Sequence, residues 1–197
     1  MRYAIIGTGN VGTASAQAFA DRVAVTIANT RGPQSLASLA GDLALAVIPA
    51  TIGDARKAEV ILAAVPFLQT RELSAQVAGL GGKIDGRHQQ RVSSTQRDEV
   101  PGGRLSTDTD AELFHGAEMV KAFNQTRAGQ PNRKVAPEQG RRVVFIASNA
   151  TTASATIADR ATQIGFAPVE VEGPDAGGIL VQARNALTLR NLYELPQ

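Results

Sequence analysis

The sequence predicts an α/β protein built on a doubly wound, mostly parallel sheet with helices on both faces. Three observations carry this. Short apolar runs alternate with helical stretches through most of the 197 residues, the pattern of parallel strands joined by crossover helices. The first run is stopped by a glycine-rich turn, Gly7-Thr8-Gly9-Asn10-Val11-Gly12, that leads directly into a helix. Two further runs end at Pro49 and Pro66, and proline terminates a central strand because it cannot donate to the ladder.

Taken in order, Tyr3–Ile6 reads as a buried strand. Thr13–Ala20 is Ala-rich, carries Phe19, and reads as a helix. Val23–Ala28 is β-branched and reads as the second strand. Pro33 suits a first helical position, with Leu36 and Leu39 on one face behind it. Leu43–Ile48 is the third strand, Thr51–Lys57 a short helix, and Val60–Val65 the fourth strand. Phe67–Leu80 is helical, with Leu68, Leu73 and Val77 as its core face. A short helix at Ala111–His115 precedes strands at Met119–Phe123 and Val143–Ala147. Thr151–Ile164 is a helix, Pro168–Val171 a strand, and Gly178–Leu189 a last helix. Gln125–Gly140 is polar, without periodicity, and reads as a long loop.

Composition narrows the function. The chain is 43% hydrophobic and 19% charged, with a net charge of +2 from 20 basic and 18 acidic residues. A chain of this length suggests one domain and buries roughly 70% of its unfolded surface without a staple. Cysteine is absent, which excludes disulfides, thiolate metal sites and a cysteine nucleophile. There is no Lys/Arg stripe, aromatics are 4%, and tryptophan is absent, so nucleic acid is not expected as a partner. No apolar run reaches the roughly 18–20 residues that span a bilayer, and Met1-Arg2-Tyr3 enters a strand with no leader-like segment before it. A cytoplasmic protein without membrane contact is expected.

The chemistry lies in the first turn. G-x-G-x-x-G after a strand and opening a helix is the Rossmann-like dinucleotide fingerprint. Gly7 allows the tight turn, Gly9 lets a pyrophosphate approach the backbone, and Gly12 lets helix and strand pack closely. The free N–H groups at the helix start, with the positive end of its dipole, suit phosphate. The end of the second strand distinguishes the dinucleotides. An NAD site places Asp or Glu there for the ribose hydroxyls. Here the strand ends Ala28-Asn29-Thr30-Arg31-Gly32, with no carboxylate. Thr30 can donate a hydrogen bond and Arg31 can pair with a 2′-phosphate, so NADP(H) is expected over NAD(H).

Val65-Pro66-Phe67 closes the fourth strand, on the edge where such sheets hold their cofactor, and is expected beside the nicotinamide. Asn124, after Lys121-Ala122-Phe123, is placed to hydrogen-bond nicotinamide or substrate, or equally to cap a turn. The two histidines, His88 and His115, show no metal-ligand spacing, and His115 reads as an exposed helix end. No metal site and no catalytic proton donor emerges: Tyr3 lies in a strand and Tyr193 in the tail. Hydride exchange between two cofactors needs no such donor; carbonyl reduction does.

These residues resemble the NADPH-dependent deazaflavin reductases, the coenzyme F-420:NADP oxidoreductase family. The matching pieces are Ala4-Ile5-Ile6-Gly7-Thr8-Gly9-Asn10-Val11-Gly12, Asn29-Thr30-Arg31-Gly32-Pro33, Ala64-Val65-Pro66, Val120-Lys121-Ala122-Phe123-Asn124 and the region 143–187. The resemblance implies a single NAD(P)-binding domain over 1–197, usually paired as a homodimer. It implies hydride transfer between NADP(H) and a small-molecule acceptor, coenzyme F-420 or another deazaflavin. By carry-over, Thr8, Gly9, Asn10 and Val11 hold the pyrophosphate, Thr30 and Arg31 the 2′-phosphate, and Val65 and Pro66 border the nicotinamide.

Residues 84–103 depart from that family. Relatives carry a strand there, followed by an Asp-Ala-Thr-Asn-like turn near the nicotinamide. This chain reads Ile84-Asp85-Gly86-Arg87-His88-Gln89-Gln90-Arg91 and stays polar to Val100. Gly86–Gln90 can be encoded GGA-CGC-CAC-CAA-CAA, and the same bases read one position later give Asp-Ala-Thr-Asn. A compensated frameshift and a natural insertion loop both account for the segment, and the codons of the gene decide between them. Either way the segment is expected to lack the central strand. Two other functions are therefore weighed: an NADPH-binding sensor without turnover, and a short relative of the β-hydroxyacid dehydrogenases or imine reductases. The latter normally need a helical second domain and a catalytic lysine that cannot be placed here.

Overall fold

A computed structural model describes residues 1–20, 22–43, 46–66, 69–77, 91–94, 106–123, 140–181, 185–188 and 190–196. Its centre is β1 (Tyr3–Ile6), whose four residues are all buried. On one side β1 pairs in parallel with β2 (Val25–Ala28), and β2 with the edge strand β3 (Val47–Pro49). On the other it pairs in parallel with β4 (Val60–Ala63), followed by β5 (Arg91–Ser94) and β6 (Glu118–Ala122), again in parallel. Then β7 (Arg141–Ala147) joins β6 antiparallel, β8 (Phe166–Glu170) joins β7 in parallel, and the short β9 (Tyr193–Glu194) pairs antiparallel with β7. The order β3-β2-β1-β4-β5-β6-β7-β8 reverses direction at β1, which opens a crevice at the carboxyl ends of β1, β2 and β4.

Burial on both faces follows from the alternation of side chains along a strand. Tyr3 and Ile5 join Ile27, Leu62, Val120 and the helix α6 (Thr151–Gln163) in one core. Ala4 and Ile6 join Ala28, Ile61, Ala63 and Leu73 in the other. The helix α1 (Asn10–Ala20) buries Ala14, Ala16 and Phe19, the last two in the first of these cores. The second face is covered by α3 (Ile52–Ala55) and α4 (Thr70–Gln76), with Phe114, just past α5 (Ser106–Leu113), in the same core. Between β2 and β3, Pro33 opens a 3-10 turn, Pro33–Leu36, that runs into α2 (Ala37–Asp42).

Most elements stand where the sequence reading put them; the differences are physical. The central strand missing from the reading is present: Arg91–Ser94 pairs with β4 and β6 together, Val92 standing opposite Ile61 and Met119. Two flanking ladders impose the extended backbone that its own polar sequence does not advertise. The rest of 84–103 lies outside the described residues, as do residues 125–139 of the expected loop and Leu68 of the expected helical core face. β3 begins at Val47, because Leu43 closes α2, and Pro49 is tolerated on this edge strand. Where a helix Gly178–Leu189 is expected, the described residues form a 3-10 segment, Gly177–Val181, and a turn at 185–188, and the remaining residues 182–184 and 189 lie outside the described ones. Gly177 packs on the Val171 backbone and Gly178 against Ala147. Two glycines chosen for close approach weaken an α-helix. Tyr193, read as tail, belongs to β9. Its hydroxyl accepts from Arg142 at 3.2 Å, and Arg141 pairs with Glu194 beside it.

Candidate functional site

The three motif glycines have separate geometric tasks. Gly7 has φ +103° and packs so closely on the Ala64 carbonyl that a side chain there would strike it. Its N–H donates to the Ala28 carbonyl at 2.9 Å, which ties the turn to β2. A Cβ on Gly12 would run into the Gly7 carbonyl oxygen, so only glycine lets α1 lie against the turn. A Cβ on Gly9 would meet nothing within 4 Å. Gly9 therefore faces open space in front of the helix start, where an anion would lie. The helix opens with the Thr13 N–H donating to the Gly9 carbonyl at 2.9 Å and the Thr13 hydroxyl to the Thr8 carbonyl at 3.3 Å.

The second loop is locked onto the first by Asn29. Its Nδ2 donates to Thr8 Oγ1 at 3.0 Å, and its Oδ1 accepts from the Arg31 N–H at 2.9 Å. Ser35 Oγ lies 3.1 Å from the same Nδ2 and gives its own proton to the Gly32 carbonyl at 2.7 Å. The result is an Asx turn that presents Thr30 and Arg31, both exposed, next to the glycine turn.

Between these loops and α4 lies a cleft of about 320 Å³, within the range of small-ligand sites. Of the residues singled out in the sequence, Gly7, Thr8, Gly9, Thr30, Arg31, Val65 and Pro66 line it together. Asn10, Val11 and Gly12 form the start of α1 behind the turn and do not line it. Asn124 lies outside the described residues. The reading missed Asn29 as a link, and it missed the opposite wall. Ile52 enters from the start of α3, and Gln69, Glu72, Leu73 and Gln76 from α4 and the residue before it. Their spacing was the available signal: positions 69, 72, 73 and 76 form one helical stripe. The apolar face of this helix drew the reading instead.

Ile52 is held by a cap. Thr51 Oγ1 accepts from the Asp54 N–H at 3.1 Å and donates to Asp54 Oδ2 at 2.8 Å, a reciprocal N-terminal arrangement of the capping-box kind. Asp54 also pairs with Lys57 at 2.7 Å; the Lys57 bond, then that of Thr51, holds its carboxyl below the usual range. The other notable charge is Lys121, fully buried on β6 and in register with Ser94 at the carboxyl end of β5. Burial pushes its ammonium down to about 8, while Asp110 and Asp108 of α5 pull it back up. Among the described residues no cluster of His, Asp and Glu could hold a metal ion, and no helix is long and apolar enough to cross a membrane.

A parallel sheet that reverses order beside a glycine turn, with a cleft at that point, defines the Rossmann class of dinucleotide-binding proteins. Residues 2–84 match the family described as NADP oxidoreductase coenzyme F420-dependent. Among solved structures it resembles the hypothetical protein SMa0349 from Sinorhizobium meliloti, at 33% identity and a TM-score of 0.89, over 98% of this chain and 96% of that one. A protein from Arthrobacter sp. FB24 described as an F420-dependent NADP-reductase shares 20% identity and a TM-score of 0.72, over 92% and 90%. An imine reductase from Myxococcus stipitatus, in complex with NADP+, shares 19% identity and a TM-score of 0.62. That match takes in 90% of this chain but 57% of that enzyme, and the likeness is one of fold. No curated protein matches the sequence.

Proposed function

We propose that this NADP oxidoreductase moves hydride between NADPH and a deazaflavin, or an acceptor of similar flavin-like build. One observation supports the cofactor half above all. Asn29 bonds the glycine turn and the Thr30–Arg31 turn into a single cleft edge, with no carboxylate at the end of β2 to repel a phosphate. The open space before Gly9 suits a pyrophosphate, and the Thr30 hydroxyl with the Arg31 guanidinium suits a 2′-phosphate. Val65 and Pro66 would border the nicotinamide, which when bound supplies the hydride.

For the acceptor, the support is chemical. The described lining of the cleft includes no Lys, Tyr or His, side chains that often give the proton in carbonyl reduction. Hydride passing between two ring systems asks only that they be held together with water kept out. The family resemblance favours a deazaflavin in that place, and also favours a homodimer, which sedimentation velocity would test.

A fluorescence titration with NADPH and NADH tests the cofactor half. NADPH is expected to bind at least about tenfold more tightly, a gap of about 1.4 kcal/mol. Equal affinity would refute the Thr30–Arg31 assignment. Stopped-flow mixing of NADPH with an oxidised deazaflavin then tests the acceptor; oxidation of NADPH no faster than without protein would remove it.

A further inference from the structure

The phosphate groups proposed above account for one wall of the cleft only. The opposite wall is the α4 stripe, and it is more polar than packing requires. Thr70 and Leu73 are the buried residues of this helix, at 0% and 5% exposure, with Val77 just past it at 2%. Gln69, Glu72 and Gln76 instead turn toward the cleft, and none of these side chains bonds to another described residue. Glu72 is the one carboxylate among the described lining residues. An ionised carboxylate only accepts hydrogen bonds and repels phosphate, so it suits a donor-bearing part of the ligand away from its phosphates.

The covalent structure of the dinucleotide says which donor arrives there. The ribose carbon that bears the 2′-phosphate is bonded to the carbon that bears the base. A 2′-phosphate at Thr30 and Arg31 therefore delivers the base into the remaining space, between Arg31 and α4. Ile52 and Leu73 offer apolar surface for a ring face, and the guanidinium of Arg31 can stack on the other. The edge of adenine carries an exocyclic amine donor and ring-nitrogen acceptors. We infer that Glu72 reads the exocyclic amine of the adenine base, with the neighbouring glutamines donating to its ring nitrogens. The α4 stripe is thus a nucleobase-reading wall that selects adenine over a 6-oxopurine. In hypoxanthine the amine is replaced by a carbonyl oxygen, which sets acceptor against acceptor and leaves the carboxylate unpaired. This inference rests on the NADP(H) reading of the same cleft.

The test compares NADPH with its reduced hypoxanthine analogue, by titration of the full chain and of Glu72→Gln. Wild type should bind the hypoxanthine analogue at least roughly tenfold more weakly, as expected for a lost bond to a charged group. A carboxamide can donate to the 6-carbonyl, so Glu72→Gln should bring the two ligands within about threefold, mostly by losing affinity for NADPH. Because Glu72 is exposed and the replacement nearly isosteric, thermal melts should coincide. Equal binding of the two ligands by wild type overturns the inference, as does an unchanged gap in Glu72→Gln. If wild type binds neither ligand, the nucleotide reading itself falls and this inference with it. NADPH binding that discriminates against NADH but not against the hypoxanthine analogue overturns the base-reading role alone.

Discussion

The carbonyl oxygen of Gly7 occupies the place that a side chain on Gly12 would need. This contact joins β1 to α1 and decides what each glycine tolerates. Gly12→Ala is expected to destabilise the protein by about 1–3 kcal/mol, the usual cost of forcing a methyl into a packed contact, and to weaken NADPH binding. Gly9→Ala meets no protein atom, so it should leave the melting temperature unchanged and yet reduce NADPH affinity at least about tenfold by blocking backbone approach to the phosphates. Denaturant melts and nucleotide titrations on the two variants separate these effects; a destabilised Gly9→Ala would contradict the open space in front of the helix.

Arg31 should determine the choice between nucleotides without serving the fold. It is exposed, and its replacement by alanine removes a charge-assisted bond worth about 1.5–3 kcal/mol. NADPH affinity is expected to fall by about ten- to a hundredfold, with NADH affinity nearly unchanged. Parallel titrations read this directly. Equal losses for both nucleotides would place Arg31 outside the 2′-phosphate site.

Asn29 acts through the loops that it joins. Asn29→Ala removes the link from Thr8 Oγ1 to the Arg31 N–H and should weaken NADPH about tenfold. Asn29→Asp keeps the acceptor for Arg31 N–H but loses the donor to Thr8, and it places a negative charge where the 2′-phosphate would lie. Selectivity should then move toward NADH. If the aspartate variant keeps the wild-type preference, the 2′-phosphate is not at this loop.

Lys121 gives the fold a pH dependence of known sign. Its folded pKa, about 8, lies below the ordinary 10.5, chiefly because burial disfavours the ammonium. Between those values the unfolded chain holds more protons than the folded one, so unfolding becomes less favourable as pH rises. Below about pH 8 both states are protonated and the burial penalty is present in full. Relative to Lys121→Met, the wild type should gain stability between about pH 8 and 10, as read by urea midpoints at several pH values. A flat difference would mean that the ammonium is not buried as described.

Legibility differed from element to element. β1, the glycine turn and β4 could be read directly because their side chains are buried on both faces and the stops are Gly or Pro. β5 could not, since Val92 is its one apolar residue and its conformation comes from partners on either side. β9 is two residues long and exists because Gly140 fits against the Glu194 backbone while Arg142 stacks on Tyr193 at 5.6 Å, a relation between distant segments. In the site, the side with a sequence fingerprint was legible. The α4 wall has no fingerprint; its residues share the cleft because the sheet order reverses next to them.

β5 also decides how the molecule comes apart. Among the described residues, the sheet through β4 hydrogen-bonds to the sheet from β6 onward through these four residues alone. Were Arg91–Ser94 to let go, the ladder would part into an N-terminal half-sheet carrying the glycine turn and a C-terminal one carrying Lys121. The two would still meet where α6 packs on the first half, with Arg160 bonded to the Tyr3 hydroxyl and Arg22 donating to the Gln163 carbonyl, and where α4 packs on α5. A proline in place of Val92 is thus a way to uncouple the halves, turning one melting transition into two.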